Sequence, residues 1–412
     1  MMISVDEAVA RIATATKPLE AVSVAIDESR GLVLAESVSS DRDVPAFDKS
    51  MVDGYAVTDS DLAAEASSGG TVELYVLEEV TAGATPTQTL TPGATTRIMT
   101  GAPLPPGTGA VVMIERSTAA GELVVLDVTG VVPGDNVMLR GSLQRAGAEA
   151  LAAGARLGSA QIGLLAELGH AVVRTVPRPR VAVLATGNEL VPAGEVPGDG
   201  QIRNSNGPML TAAVDECGGA AIDLGIARDE RDDLRQRIEH GLEADVLLLS
   251  GGVSAGVLDL VPEVLAELGV REVFHKVQLK PGKPLWFGVH GFAGHDFGTR
   301  SGGTLVFGLP GNPVSSFVCF LLFVRPAIAR LAGRADTRRT RARLVDAFTR
   351  RRDRPTYHPA VLDESSTTST VRLARWRGSA DLAAFAEANC LAVLPVGDEV
   401  IAADTVIDVV RS

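Results

Sequence analysis

Between residues 178 and about 332, short apolar runs alternate with helical stretches, and this alternation constrains the chain more than any other feature. The runs are VAVLA (181–185), AIDLGIA (221–227), DVLLLS (245–250), VFHKVQL (273–279) and TLVFGL (304–309). Strands that are apolar on both sides must be covered on both faces, so they predict a doubly wound, mostly parallel sheet with helices above and below. Leu234, Ile238 and Leu242 form one helix stripe behind a start at Asp229, and Leu260, Val264 and Leu268 form another. After Asn312 and Pro313, VSSFVCFLLFVRPAIARL reads as a buried helix with proline near its first turn. In such a sheet, ligands bind beyond the carboxyl ends of the strands.

The remaining chain has a different texture. At 412 residues it exceeds one ordinary core. Residues 1–44 carry a helical stripe (Val5, Ala8, Ile12) and then strand, turn and short-helix signals. Residues 45–140 break into short runs separated by Gly and Pro, which predicts an all-β insert with antiparallel strands. Residues 141–177 are Ala-rich and read as helix, with Gly169 where a C-cap would fall. Together, 1–44 and 141–177 are expected to form an N-terminal and linking domain. The α/β domain occupies 178–332, and 333–412 return to short strands that suggest a small terminal β barrel.

Charge and cysteine usage exclude several functions. A formal net charge of -13 leaves no basic face for a nucleic-acid backbone. Cys217, Cys319 and Cys390 are odd in number and widely separated, so they form neither a disulfide framework nor a zinc motif, and a reducing cytoplasm is the expected setting. The N-terminus has an acidic residue at Asp6 and lacks the basic start and apolar run of an export signal. Phe317–Val324, the longest apolar run, falls short of the roughly 20 residues of a membrane span, and no membrane association is expected.

Four loops carry candidate chemistry. Thr186-Gly187-Asn188-Glu189 follows the first strand, and Glu189 there is suited to a metal or a proton. In Ser250-Gly251-Gly252-Val253-Ser254-Ala255-Gly256, successive glycines let backbone N–H groups approach an anion while Ser250 and Ser254 add hydroxyls; Asp259 follows as a possible cation ligand. Lys280-Pro281-Gly282-Lys283-Pro284 fixes two cations three residues apart in a chain poor in lysine, close to His275 and Lys276. Pro310-Gly311-Asn312-Pro313-Val314-Ser315 makes a rigid corner at a helix start. Each also has a plain structural explanation as a turn. Together they suit Mg²⁺-assisted chemistry on a phosphorylated substrate.

Six segments taken in order resemble one family: SMVDGYA (50–56), RIMTGAPLP (97–105), ATGNEL (185–190), SGGVSAG with Asp259, LKPGKP (279–284) and GLPGNPVS (308–315). They are similar to the signatures of the molybdopterin molybdenumtransferases, the MoeA and gephyrin E-domain family, along the whole chain. The resemblance implies a homodimer in which the α/β domain of one subunit faces the insert of the other. It also implies an activity: molybdate and adenylylated molybdopterin are taken with Mg²⁺ or a similar ion, AMP is released, and molybdenum is left on the dithiolene. Carried over by position, Asp53, Thr100, Glu189 and Asp259 would be catalytic, with Asp53, Glu189 and Asp259 holding the metal. Ser250, Gly251, Gly252, Ser254, Lys280, Lys283, Pro310, Asn312, Pro313 and Ser315 would bind substrate and phosphate. Lys283, with Arg354 in RPTYHP and Ser379 in RGSADL, would meet molybdate.

Two positions depart from that pattern. Lys49 stands where the family usually has Asn, and Leu143 fills a slot that is typically acidic, so that either Glu149 or the other carboxylates serve or metal binding is weakened. Two alternatives accompany the transferase reading: a gephyrin-like scaffold without catalysis, and the pathway's molybdopterin adenylyltransferase. On the transferase reading, that adenylyltransferase is instead the expected substrate donor.

Overall fold

The computed structural model describes residues 2–63, 69–253, 260–291, 303–336, 338–349, 353–365 and 367–412. The chain divides into two compact units. One comprises Met1–Ala35, Gly154–Ser159 and Val172–Ser412; the other comprises Glu36–Ala153 and Ala160–Ala171.

The first unit is built around a six-stranded sheet of β1 (Arg180–Thr186), β2 (Ala220–Ala227), β3 (Val246–Ser250), β4 (Arg271–His275), β5 (Trp286–His290) and β6 (Thr304–Leu309), in the order β2-β1-β3-β6-β5-β4. Strands β2, β1, β3 and β6 are parallel, and β5 runs antiparallel to both its neighbours. Alternate residues serve opposite cores. Val181, Val183, Leu248 and Phe307 pack with Leu210 and Val214 of α1 (Asn206–Glu216), with Phe320 and with Ile12 of the helix Val5–Ala15. Ala182, Leu184, Leu247 and Val306 pack with Leu234 and Ile238 of α2 (Arg231–Gly241) and with Val264 of α3 (Val261–Glu267). The doubly covered sheet follows from the unbroken apolar strands.

Two details differ from the sequence reading. The run 273–279 is strand only as far as His275. Lys276 takes φ 73°, which turns the chain out of the sheet and makes 276–285 a loop. Strand β5, with Gly288 in its middle, gave too weak a pattern to be read.

The helix after Asn312 runs from Pro313 to Leu331. It begins as α4 (Pro313–Cys319), widens to a π turn over Phe320–Val324 and closes as α5 (Arg325–Leu331). Pro326 has no N–H to give an ordinary helical bond, and the wide turn comes just before it. By length and apolarity this helix passes as a membrane span, yet 83% of its apolar window is buried inside the protein.

A closed five-stranded barrel completes the unit, formed by Arg339–Leu344, Thr370–Leu373, Thr356–Asp363, Cys390–Leu394 and Val406–Arg411. The strand Thr356–Asp363 escaped notice because Pro359 lies in its centre, paired with Leu391. Arg325, 3% exposed, ties the long helix to the barrel through the Arg411 carbonyl at 2.6 Å and Asp336 at 3.4 Å.

The second unit holds a six-stranded sheet in the order Ala110–Met113, Gly54–Val57, Ala94–Ile98, Thr71–Val80, Leu123–Asp127 and Ser117–Ala120. All its pairs are antiparallel except Thr71–Val80 with Ala94–Ile98, and a short helix, Asp59–Ala63, interrupts the β pattern. Helix across 146–157 is a second misreading. Gly147 and Gly154 take φ of 78° and 85°, and Glu149–Leu151 pairs with Val38–Ser39. Only Ser159–Glu167 is helical, and Gly169 caps it at φ 80° as the sequence suggested. In the first unit, Val33–Leu34, read as part of a short helix, is a two-residue strand paired with Thr175 and Val176.

Candidate functional site

Strand order reverses between β1 and β3, the topological switch point at which doubly wound sheets bind ligands. A cleft of about 490 Å³ opens there. Its walls come from the loops after β1, β3 and β6 and from the start of α1.

Two glycines make the close approach between the β1 and β3 loops possible. Gly251 (φ +101°) and Gly252 (φ +66°) occupy backbone conformations that side chains disfavour, and both press against Thr186. The Ser250 hydroxyl, buried at the end of β3, accepts a bond from Asn206 Nδ2 at 2.7 Å, and the same amide donates to the Gly311 carbonyl at 2.7 Å. Asn206 thus clamps the glycine loop to the Pro310–Pro313 corner. Its Oδ1 and the hydroxyl of Thr186 are buried without a partner at the cleft wall. His275, singled out in the sequence beside the lysines, holds the Val253 carbonyl through Nε2 at 3.1 Å.

Glu189 and Asp229 bring carboxylates to the same cleft. Asp229 is locked to the Glu189 loop by a reciprocal pair: Asn188 N–H donates to Asp229 Oδ2, and Asp229 N–H donates to Asn188 Oδ1, each at 3.2 Å. Ser254 and Asp259 lie outside the described residues. Among the described residues, no three acidic, His or Cys side chains converge as a ready-made metal cage.

A second cleft, of about 240 Å³, adjoins the first and shares Pro284 with it. Lys280, Lys283, Ser315, Arg354 and Ser379 all line it, so residues read from four separate segments come together. Its geometry comes from stitching the 276–285 loop to the barrel. Lys280 N–H donates to the Pro355 carbonyl at 2.9 Å, and the Lys280 carbonyl accepts from Tyr357 N–H at 2.8 Å. Among the described residues neither lysine forms an ion pair, whereas Arg354 Nε meets Asp353 at 3.2 Å.

Asp53 and Thr100 lie together in the second unit. Thr100 donates to Asp53 Oδ1 from both its backbone N–H and its hydroxyl, each at 2.7 Å. These two bonds, the backbone one first, hold the Asp53 carboxyl below the usual carboxylate range. Any stability they add is present above the ordinary carboxylate pKa and is lost as pH falls through the lowered folded value. Thr100→Val, which removes the hydroxyl, is expected to raise the Asp53 pKa without restoring it fully, because the backbone bond remains. NMR titration of the Asp53 carboxyl checks this; an unmoved pKa overturns the assignment.

In the same unit, Leu143 is 64% exposed beside Arg140, whose Nε pairs with Asp43 at 2.7 Å. Lys49 sits opposite Met138 in a two-residue ladder.

Sequence reasoning missed Asn206 and Trp376. Asn206 follows the polar run Arg203-Asn204-Ser205 at a helix start, a signal that could have found it. Trp376 lies in the loop between the barrel strand Thr370–Leu373 and the helix Leu382–Ala386, directly before RGSADL, and that segment drew attention to Ser379 alone.

A switch-point cleft walled by a glycine loop, joined to a cleft lined by Lys280, Lys283 and Arg354, defines an α/β protein whose sheet rim is chemically suited to anionic ligands. Comparison with known proteins makes this specific. Residues 3–169 match the family described as "MoeA N-terminal region (domain I and II)", residues 182–330 match "Probable molybdopterin binding domain", and residues 341–411 match "MoeA C-terminal region (domain IV)". A molybdopterin molybdenumtransferase of Staphylococcus aureus is 33% identical over 419 residues, covering 99% of this chain and 95% of that protein. Molybdopterin molybdenumtransferase 1 of Mycobacterium tuberculosis is 35% identical over 430 residues, covering 99% and 98%. The crystal structure of a molybdopterin biosynthesis MoeA protein from Pyrococcus horikoshii aligns with a TM-score of 0.83 at 31% identity, covering 100% of this chain and 99% of that one. The chain belongs to the MoeA family of molybdopterin molybdenumtransferases, transferases of molybdenum cofactor biosynthesis.

Proposed function

We propose that this enzyme binds adenylylated molybdopterin across the larger cleft and molybdate in the smaller one, releases AMP and leaves molybdenum on the pterin dithiolene. The observation that carries the reading is the junction of the two clefts at Pro284, which sets the glycine loop of one beside Lys280, Lys283 and Arg354 of the other.

The residues divide the work by their chemistry. The Gly252 backbone N–H, with the Ser250 hydroxyl fixed by Asn206, suits phosphate oxygens, while the Gly251 N–H donates to the Leu309 carbonyl at 3.2 Å and ties the loop to β6. Lys280 and Lys283, helped by Arg354, Ser315 and Ser379, suit a tetrahedral dianion. Pro310, Asn312 and Pro313 keep the corner rigid where these ligands meet.

Mg²⁺ commonly takes one or two protein carboxylates and completes its shell with water and substrate phosphates. Glu189 and Asp229 on the cleft wall fit that demand, and the family pattern adds Asp259, which lies outside the described residues, as a further expected ligand. Bound there, the ion would neutralise charge on the phosphoanhydride as it breaks. Glu189 and Asp229 would also orient the attacking water, whose oxygen forms the new bond to phosphorus as the bridging oxygen leaves with the other phosphate.

On this reading the protein works in the cytoplasm as a homodimer. Asp53, kept ionised by Thr100, completes the site from the insert of the second copy, and the adenylyltransferase supplies the substrate. The test is AMP release from adenylylated molybdopterin with Mg²⁺, with and without molybdate or tungstate. Oxyanion-dependent release is the expected result. A folded protein that releases no AMP under any of these conditions overturns the reading in favour of a scaffold.

A further inference from the structure

We propose that Trp376 positions Ser379 in the smaller cleft and thereby sets that cleft's affinity for a tetrahedral dianion; this rests on the reading of that cleft as the oxyanion site. Trp376 lines the cleft, and its indole Nε1–H donates to the Gly378 carbonyl. Gly378 takes φ +135°, a left-handed conformation that frees the chain to turn at this point. On the far side of that turn, the Ser379 carbonyl accepts from Val314 N–H at 3.0 Å in the first turn of α4. The Ser379 segment is therefore held from both sides, by the indole on one and by the helix start on the other.

The indole is itself held. It meets the His358 ring edge to face, with centroids 5.1 Å apart at 84°, and His358 packs in the same way on Phe348 at 5.7 Å and 71°. His358 is 5% exposed. The barrel interior thus fixes the indole plane, the indole fixes Gly378, and Gly378 fixes the residue that carries the hydroxyl.

The cations and the hydroxyl contribute differently. Lys280, Lys283 and Arg354 supply charge, which attracts an anion without demanding an exact angle. A hydroxyl donor adds affinity only when it is aimed, because a mobile one must be ordered on binding. Removing the indole N–H leaves the charge in place and releases the aim. Losing one such hydrogen bond corresponds to about a tenfold weaker dianion affinity.

The test is AMP release by Trp376→Phe as a function of molybdate. The molybdate half-saturation is expected to rise about tenfold, with the rate recovered at high molybdate and the half-saturation for adenylylated molybdopterin unmoved. A general loss of structure would shift both. Trp376→His, which can keep a ring N–H donor, is expected to recover part of the affinity.

Fluorescence gives an independent readout. The chain has two tryptophans, and Trp286 is 2% exposed inside the sheet. Molybdate added to the wild-type protein should quench emission, and Trp376→Phe should abolish that quench. This readout in the wild type also stands if the Phe variant fails to fold: no quench there counts against the proposal.

Lys283→Ala separates the two levels of inference. If it leaves the molybdate half-saturation unmoved, the oxyanion reading of the cleft falls. If it shifts that value while Trp376→Phe does not, the cleft reading stands and the role of Trp376 is overturned.

Discussion

Gly251→Ala is expected to destabilise the protein by about 2–5 kcal/mol and to abolish AMP release even where the variant remains folded. Gly251 takes φ +101°, so any side chain there is strained before it touches a neighbour. An added Cβ would then lie 2.6 Å from the Thr186 carbonyl oxygen and 3.0 Å from its hydroxyl. The carbonyl cannot move aside cheaply, because Thr186 ends β1, which is paired on both sides, and Ala185 is paired with Ser250 across to β3. Relief would have to push the β1 and β3 loops apart, which opens the cradle that holds phosphate. Gly311→Ala is the control on the facing corner. There an added Cβ meets only the Gly251 Cα, at 3.9 Å, and a stability change within about 0.5 kcal/mol is expected. Urea unfolding midpoints for the two variants, with AMP release for Gly251→Ala, check the argument. A Gly251→Ala protein as stable and as active as the wild type would overturn it.

The sheet was legible because burial on both faces leaves no polar residue in VAVLA or VLLL, and the periodicity of helices such as Leu234 to Ile238 follows from packing one face on that sheet. The glycine cradle could be read because a rim loop that approaches another backbone needs residues without Cβ. Failures arose where local preference and tertiary context disagree. Residues 146–157 are rich in helix-forming Ala, yet turns at Gly147 and Gly154 and pairing with Val38–Ser39 decide their conformation. Strand Thr356–Asp363 contains a proline that a barrel accommodates and a propensity argument rejects. The smaller cleft illustrates the limit most clearly. Lys283, Arg354 and Ser379 are far apart in sequence, and their meeting depends on the Lys280–Pro355 and Lys280–Tyr357 backbone bonds, which side-chain identity does not encode. Only the family resemblance joined them in advance. Nothing local marked Trp376 as a support, and only the polar run before its helix pointed to Asn206, because their work is done on other residues.

Lys283→Ala is expected to lower kcat/KM for molybdate by roughly 10- to 100-fold, the range for losing a charge-assisted hydrogen bond, and Lys280→Ala/Lys283→Ala by more. The protein carries a net charge of -13, so its overall field opposes the approach of a dianion, and these local cations must reverse that field at the cleft. The effect should therefore shrink as salt is raised, since at 0.1 M the Debye length is about 10 Å. Stability should change little. The Lys283 side chain is exposed, and the bonds that anchor Lys280 to Pro355 and Tyr357 come from its backbone, which alanine retains. Lys283→Arg keeps the charge but replaces a compact ammonium with a planar fork, so it should recover long-range attraction better than turnover. The decisive measurement is molybdate-dependent AMP release at two ionic strengths for the wild type and the three variants. Equal kcat/KM for wild type and the double alanine variant would remove the lysines from the oxyanion site. A salt-sensitive loss at an unchanged unfolding midpoint would assign them to attracting and holding the anion, with no part in maintaining the fold.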